Sequence, residues 1–342
     1  MDEEVSTFAR SISNELKDID DEELKERLPI NPDNEDIFDA MSDGRLGLHL
    51  LNKADKDRID MRTVNKGKNI NIYKIRENLD QFFAGCKGLI KVIGIDAQSF
   101  LDKTPHLMLA IIWQILRLIA TVKINLDACK EIMRLAKEGE ELGDLRKLSA
   151  EEILKRWMNF HLNKAGQEPI DNLGKDLADS KKCMYVLNQL DGGNCPLDGL
   201  AEGDDVKRAQ ICIDNSKKMG CSDVVGAKDI VKGNSKVNIL FVAEMFNTKH
   251  GLEEVTQEEF EAAGLIDDDI EGSKEERAFR LWINTLELKD LDGNDIFIDN
   301  LYDDLNDGIV LCKAIHKIDQ TVVEWNRIEK KPDSVFKKGI NC

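Results

Sequence analysis

The sequence predicts an all-α protein built from repeated helical modules, and three observations predict it. The first is residues 104–122, TPHLMLAIIWQILRLIATV, which leave almost no polar face. A helix apolar all round belongs in a core or a membrane. This one falls short of the ~20 apolar residues of a span and is interrupted by Gln114 and Arg117. The second is apolar spacing of three and four residues in most of the preceding segments. The third is an internal repeat. A similar rod, KVNILFVAEMFN, returns at residues 236–247, about 130 residues after the first. That interval is too long for a solenoid and fits tandem domains.

The elements follow in order. Phe8, Ile12, Leu16 and Ile19 share a face, so residues 3–20 are expected to form an amphipathic helix. Leu28-Pro29-Ile30-Asn31-Pro32 reads as a loop. Residues 36–41 start a helix, Asp43-Gly44 breaks it, and Leu46, Leu48, Leu50 and Leu51 resume it. Residues 53–68 are polar and expected to be extended. Ile72, Ile75, Leu79, Phe82 and Phe83 line another helix, 86–93 a short apolar helix ending at Gly94, and 96–101 a helical turn. Thr104 is placed to cap the central helix, and Pro105 sits at its first position, where its missing N–H costs little.

Residues 123–148 are charged but keep a helical pattern at Ile132, Leu135 and Leu142, which suggests an ordered linker broken at Gly139 and Gly143. Ser149-Ala150-Glu151-Glu152 has the form of a capping box and opens a helix carrying Ile153, Leu154, Trp157, Met158, Phe160 and His161. Residues 206–220 mirror 75–88, and 229–231 mirror 99–101. Residues 251–272 hold nine acidic and no basic residues and read as a solvated linker. Residues 276–288 repeat the opening helix of the second module, and Asp307-Gly308 with its apolar helix repeats Asp43-Gly44. No apolar closing rod follows. The expected division is a module at 3–122, a linker at 123–148, a module at 149–249, an acidic linker at 250–273 and an incomplete module at 274–342.

Charge and composition narrow the function. The chain has 342 residues and a net charge of −18, which disfavours phosphate-neutralising contact with nucleic acid and docking on an anionic membrane. Eight cysteines lie scattered without a Cys-x-x-Cys pair, which fits free thiols in a reducing cytoplasm. The charge is uneven: residues 1–43 hold 15 acidic and 4 basic groups, whereas 44–122 hold 13 basic and 7 acidic. The first module therefore has a basic portion, which reads either as a solvated mixed surface or as a patch that steers a partner.

Catalytic and metal signatures are missing from the spacing. Asp290-Leu291-Asp292-Gly293-Asn294-Asp295 begins like a calcium loop, but Asp295 stands where the sharp turn needs Gly and Leu301 where the bidentate Glu belongs. The five histidines are dispersed, none pairs with cysteine at zinc spacing, and His106 at a helix start reads as structural. Cys212 and Cys221 have no partner motif, and there is no glycine-rich phosphate loop. No cofactor and no metal are expected, and a binding protein is favoured over an enzyme.

Several segments together resemble calponin-homology (CH) domains in the arrangement of the fimbrin (plastin) family. They are the helices Arg156-Trp157-Met158-Asn159-Phe160 and Arg280-Leu281-Trp282-Ile283-Asn284, the turns Asp43-Gly44 and Asp307-Gly308, and Lys103-Thr104-Pro105-His106-Leu107 with Trp113-Gln114. The linker run 147–156 and residues 273–282 look specific to fimbrins. The resemblance implies an all-α fold of tandem CH domains, two complete and a third truncated. It implies that the paired domains bind actin filaments and contribute to cross-linking if a second pair is present. A CH adaptor that binds other proteins without touching actin is the alternative.

Family members usually carry a calcium-binding headpiece before the first pair. This chain opens directly at a CH domain, so no calcium control from within it is expected. Ser11 stands where CH opening helices commonly have Trp, which should loosen packing or alter the contact surface.

The surfaces the family implicates map here to residues 8–16, 107–122 and 151–162. Because filament surfaces are acidic too, binding must come from a local patch with a charged rim. The candidate contacts are Phe8, Ile12, Lys66, Lys68, Lys74, Arg76, Lys103, Arg117, Lys123, Lys155 and Arg156. Most of the central rod must be core, leaving only its edge near Arg117 and residues 121–123 for a partner. The second module is expected to cover part of the first, so that separation exposes the contact surface. A cytoplasmic monomer on the actin cytoskeleton, without nucleic-acid or membrane partners, completes the expectation.

Overall fold

The computed structural model describes residues 2–68, 70–137, 139–140, 142–263, 279–280, 282–284, 286, 288–289, 296, 298, 301–319, 321–323, 325 and 327–328. It divides into two compact units, Met1–Gly264 and Leu265–Cys342. The regular elements of the first unit are helices. The opening module holds α1 (Asp2–Glu15), α2 (Glu22–Lys25), α3 (Asp36–Met41), α4 (Arg45–Ala54), α5 (Ile72–Cys86), α6 (Ala97–Leu101) and α7 (Pro105–Thr121). Two 3-10 stretches, Lys130–Leu135 and Leu142–Lys147, cross the linker. Then come α8 (Ala150–Lys164), α9 (Lys181–Asp191), α10 (Asp205–Met219), α11 (Ala227–Ile230), α12 (Ser235–Thr248) and α13 (Gln257–Ala262). The second unit contributes α14 (Leu301–Asp304) and α15 (Ile309–Ile318). Among the described residues no helix is long and apolar enough to cross a membrane.

The apolar rod becomes the centre of the first module. Met108, Leu109, Ile111, Ile112, Ile115 and Leu116 of α7 are buried, and the rod packs on α4 and α1. Each such side chain taken from water contributes roughly 1.5–3 kcal/mol. Phe8 of α1 stacks on Trp113, ring centroids 6.1 Å apart, and Phe82, Phe83 and Phe100 close the other side in edge contacts. Pro105 sits at the first turn as expected, but the Thr104 side chain makes no capping bond; only its backbone is extended. In the second module α12 plays the same part, with Val237, Phe241, Val242 and Met245 buried. Trp157 meets Phe246 edge-on and donates its indole N–H to the His250 carbonyl at 2.7 Å. At α8 the Ser149 side chain accepts from the Glu152 N–H.

The repeat extends to backbone detail. Gly44 and Gly308 both have positive φ, 78° and 73°. The preceding Asp43 and Asp307 accept the next N–H at 3.0 and 2.9 Å. The second module builds the same turn from Asp179-Ser180-Lys181, with Ser180 at φ 61° and Asp179 accepting from the Lys181 N–H at 3.0 Å. A second repeated bond ties each opening helix to its following loop. Ser13 Oγ accepts the Ile30 N–H at 2.8 Å, and Asn159 and Asn284 bracket the backbones of Ile170 and Ile298.

Several expectations are corrected. The opening helix ends at Glu15 rather than 20, although Leu16 and Ile19 stay buried beneath the turn. Of residues 86–93 only Cys86 is helical, as the end of α5; residues 87–90 turn and the chain bends at 93–94, because Gly88 and Gly94 take φ 81° and 67°. Of residues 53–68, Lys53 and Ala54 end α4 and the rest fold mostly as turns and bends rather than an extended segment, held where Asn52 bonds both backbone groups of Ile59. In the linker Gly139 lies between the 3-10 stretches, whereas Gly143 lies inside the second. The calcium-loop-like residues 290–295, the run 273–278 and the acidic run 267–269 lie outside the described residues.

Within the first unit the second module covers the first. α11 and α12 pack on α1, and α12 packs on α7. Thr7 Oγ1 donates to Asp229 Oδ2 at 3.3 Å, Arg10 pairs with Asp223 at 3.0 Å, and Lys236 with Glu4 at 3.0 Å. Asn247 donates to the Ala120 carbonyl at 2.8 Å, and Arg117 Nη2 donates to Glu151 Oε2 at 2.8 Å. Ser11 is buried on this seam with its hydroxyl 3.4 Å from the Val224 carbonyl, beside a cleft of about 300 Å³ lined also by Glu15, Lys53, Lys123 and Glu244. Burial, with Glu244 adding to it, pushes the Glu15 carboxyl above its usual range.

Candidate functional site

The exposed face at residues 65–76 is built by a buried polar chain beneath it. Arg45, 1% exposed, lies between Asp43 at 3.0 Å and Glu23 at 2.8 Å. Arg27 holds Asp43 from the other side at 2.8 Å, and Glu23 accepts the Gly67 N–H at 3.0 Å. A buried charge is tolerable only when paired in this way. Buried Asn78 brackets both backbone groups of Asn65 at 2.8 and 3.0 Å. The loop is therefore fixed at two points, and Lys66 and Lys68 project from it.

Directly after it, Asn71 accepts the Lys74 N–H at 3.0 Å and caps α5. In the first turn that follows, Ile72 is 54% and Tyr73 77% exposed. Lys74 and Arg76 stand beside them, exposed and without an ion pair among the described residues. An apolar pair flanked by cations at the positive end of a fifteen-residue helix suits an acidic, partly apolar partner.

The other predicted contacts separate into groups. Phe8 and Ile12 are fully buried in the first core and present nothing to a partner in this arrangement. Their helical face is the module's own packing face, which is the reason for the correction. Arg117 is taken by Glu151 across the seam. Arg156, with 11% of its side chain exposed, holds Glu140 of the linker at 2.6 and 3.0 Å. It is thus an internal fastening rather than a surface group, and it keeps the Glu140 carboxyl down at about 2. Lys68 pairs with Glu26 at 2.7 Å, Lys155 with Glu152 at 2.8 Å, and Lys103 with Asp39. Lys66 and Lys123 are exposed and unpaired among the described residues, although Asp21, Glu22 and Glu23 line the same shallow cleft as Lys66.

The structure thus sets Lys66 and Lys68 on the anchored loop and Lys74 and Arg76 on the start of α5 that follows it, whereas Lys103, Lys123, Lys155 and Arg156 lie on other segments. Sequence reading missed Ile72 and Tyr73 as surface groups because Ile72 was counted into a core stripe. It also missed Ile93, 81% exposed.

One further cluster has no counterpart in sequence spacing. Cys129 and Glu131 of the linker meet His250 beyond α12, with one ligating atom of each lying within 4.8 Å of the others. The Cys129 thiol lies 3.4 Å from Glu131 Oε2, and burial together with that carboxylate pushes it up to about 12. Cys86, Cys183, Cys195, Cys212 and Cys221 are buried thiols.

The model of the calponin homology (CH) domain matches residues 22–121, 148–251 and 273–342. Plastin-1 of Bos taurus is 34% identical over 355 residues, covering 100% of this chain and 54% of its own length. Fimbrin-4 of Arabidopsis thaliana is 33% identical over 343 residues, covering 99% and 51%. The chain thus spans about half the length of the curated relatives it matches. The crystal structure of the actin-crosslinking core of Schizosaccharomyces pombe fimbrin superposes with a TM-score of 0.64 at 30% identity, over 100% of this chain and 67% of that one. With three matched segments in order on an all-helical scaffold, the chain belongs to the calponin homology domain family, and its relatives there are the plastins and fimbrins.

Proposed function

We propose that this chain binds actin filaments through the paired CH modules at 3–122 and 149–249, as a monomeric structural protein of the cytoplasmic actin cytoskeleton rather than an enzyme. Its third module, 274–342, belongs to the second pair that cross-linking requires. The observation that carries this reading is the exposed stretch holding Lys66, Ile72, Tyr73, Lys74 and Arg76, cationic and apolar on a chain of net charge −18. An overall negative chain gains nothing from long-range attraction to an acidic polymer, so a local patch must supply the encounter.

Filament binding proceeds in two stages on this reading. The α5 face engages first. The face of α1 and the Arg117 edge of α7 become available only when the second module moves off them, since α11, α12 and Glu151 occupy them now.

High-speed cosedimentation with actin filaments tests the reading. Lys74→Glu combined with Arg76→Glu should weaken binding about tenfold or more, with folding unchanged because both side chains are exposed. Lys66→Glu with Lys68→Glu should weaken it less, because Lys68 is already neutralised by Glu26. A wild-type chain that stays in the supernatant would overturn the proposal. Low-speed sedimentation separates decoration from bundling.

A further inference from the structure

We propose that Cys129, Glu131 and His250 form a site for a zinc-class divalent cation that clasps the inter-module linker to the segment leaving the second module. The donor set carries the choice of ion. A thiolate, an imidazole and a carboxylate are the ligand types zinc takes, and three protein ligands leave a fourth position for water. Calcium and magnesium demand oxygen donors and would not use the thiolate or the ring.

The spacing is close to what such an ion needs. Zinc bonds of ~2.3 Å to sulfur and ~2.0 Å to oxygen put the two ligands roughly 3.5 Å apart at a tetrahedral angle. Cys129 Sγ and Glu131 Oε2 already lie 3.4 Å apart. The ring of His250 must close in from within 4.8 Å. Its backbone is held for this purpose at two points. The His250 carbonyl accepts from the Trp157 indole at 2.7 Å and lies 2.9 Å from His161 Nε2.

Proton bookkeeping defines the cost of loading. His250 Nδ1 accepts the Leu252 N–H at 3.1 Å, a bond that an ion on either ring nitrogen displaces. Loading sends the Cys129 thiol proton to solvent and keeps the ring neutral, with its one proton on the nitrogen opposite the ion. Thiolate and carboxylate then cancel the two positive charges of the ion. Proton release makes the affinity rise with pH.

The location gives the site a consequence. The two segments already touch beside it. Arg134 Nη2 donates to the Glu254 carbonyl at 2.9 Å and to Glu259 at 3.0 Å, and Lys130 Nζ lies 5.1 Å over the Phe260 ring. An ion bridging 129–131 to 250 would convert this polar contact into a coordinate bond.

The test uses the full 342-residue chain, freed of metal and kept reduced, titrated with Co²⁺ as the spectroscopic probe and then with Zn²⁺. One equivalent should raise a thiolate-to-cobalt charge-transfer band that Zn²⁺ displaces. Cys129→Ser should abolish the band, and His250→Asn and Glu131→Gln should weaken binding by at least about tenfold. A second measurement needs no variant: Zn²⁺ should slow alkylation of Cys129, read by mass spectrometry. A band that persists in Cys129→Ser, or alkylation of Cys129 that Zn²⁺ leaves unchanged, would overturn the site. Filament affinity plays no part in these readouts, so failure here is separable from failure of the actin proposal.

Discussion

Arg45 shows what a single residue decides in this protein. It keeps a charge almost wholly out of water by touching Asp43 and Glu23, and through Glu23 it fixes Gly67 in the basic loop. Replacing it by methionine leaves two carboxylates without their shared partner. Loss of one member of a buried pair costs about 3–5 kcal/mol, so Arg45→Met should lower the urea midpoint sharply and disorder the Lys66–Lys68 loop. A midpoint within error of wild type would contradict this account. Ser180 is the opposite case. It sits at φ 61°, fully buried, with no hydrogen-bond partner for its hydroxyl among the described residues. A left-handed serine costs of order 1 kcal/mol and a buried lone hydroxyl a similar amount, against the entropy glycine adds to the unfolded chain. Ser180→Gly should therefore stabilise the chain by about 1 kcal/mol, seen as a rise of a few degrees in thermal midpoint. The sequence announced the turn at Asp43-Gly44 through its glycine. It concealed the same turn at Asp179-Ser180, where the residue identity argues against the backbone it adopts.

At the scale of elements, the linker is fastened rather than merely ordered. Ile132, Leu135 and Leu145 are buried, and Glu140 forks onto Arg156 of α8. The opening helix of the second module therefore turns part of its polar face to the linker. The pairing holds Glu140 at about 2 against an ordinary 4.5. A depressed carboxyl contributes stability that is present above pH 4.5 and fades as pH falls toward 2. Glu140→Gln should thus lower the unfolding midpoint at about pH 6 and make no difference at about pH 2, because the wild-type carboxyl is then losing its charge as well. Equal effects at both pH values would show that the carboxylate charge is not what matters. The helical pattern at Ile132 and Leu135 made the order of the linker legible. Its attachment was not, because Glu140 and Arg156 look like any exposed pair until the chain folds back.

At the scale of the whole first unit, closure of the second module on the first governs which surfaces a filament could reach. Arg117 and Glu151 span the seam with both side chains partly exposed, so the pair contributes modestly to closure and can be reversed without unfolding either core. Glu151→Arg alone should loosen the seam, enlarge the scattering radius and raise filament affinity several-fold. The exchange Arg117→Glu with Glu151→Arg should restore wild-type behaviour on both measures. An affinity unmoved by Glu151→Arg would detach closure from binding. The same seam carries Asp229, raised by burial, which the Thr7 hydroxyl bonds from α1. Carboxyl groups on both sides fasten the seam: Asp229, Asp223 and Glu151 of the second module take donors from the first, and Glu4 of the first pairs with Lys236 of the second.

The sequence by itself determined the fold class, the two apolar rods and the repeat, since these rest on local periodicity that no other arrangement of the chain can satisfy. It also placed Lys66, Lys68, Lys74 and Arg76 close together, because they are close along the chain. Tertiary structure decided the rest. It sent Phe8 and Ile12 inward, tied Arg117 and Arg156 to carboxylates 34 and 16 residues away, turned Ile72 and Tyr73 outward, and brought His250 to Cys129. The reason is that a helical stripe fixes which residues share a face, whereas only the packed partner fixes whether that face meets protein or water.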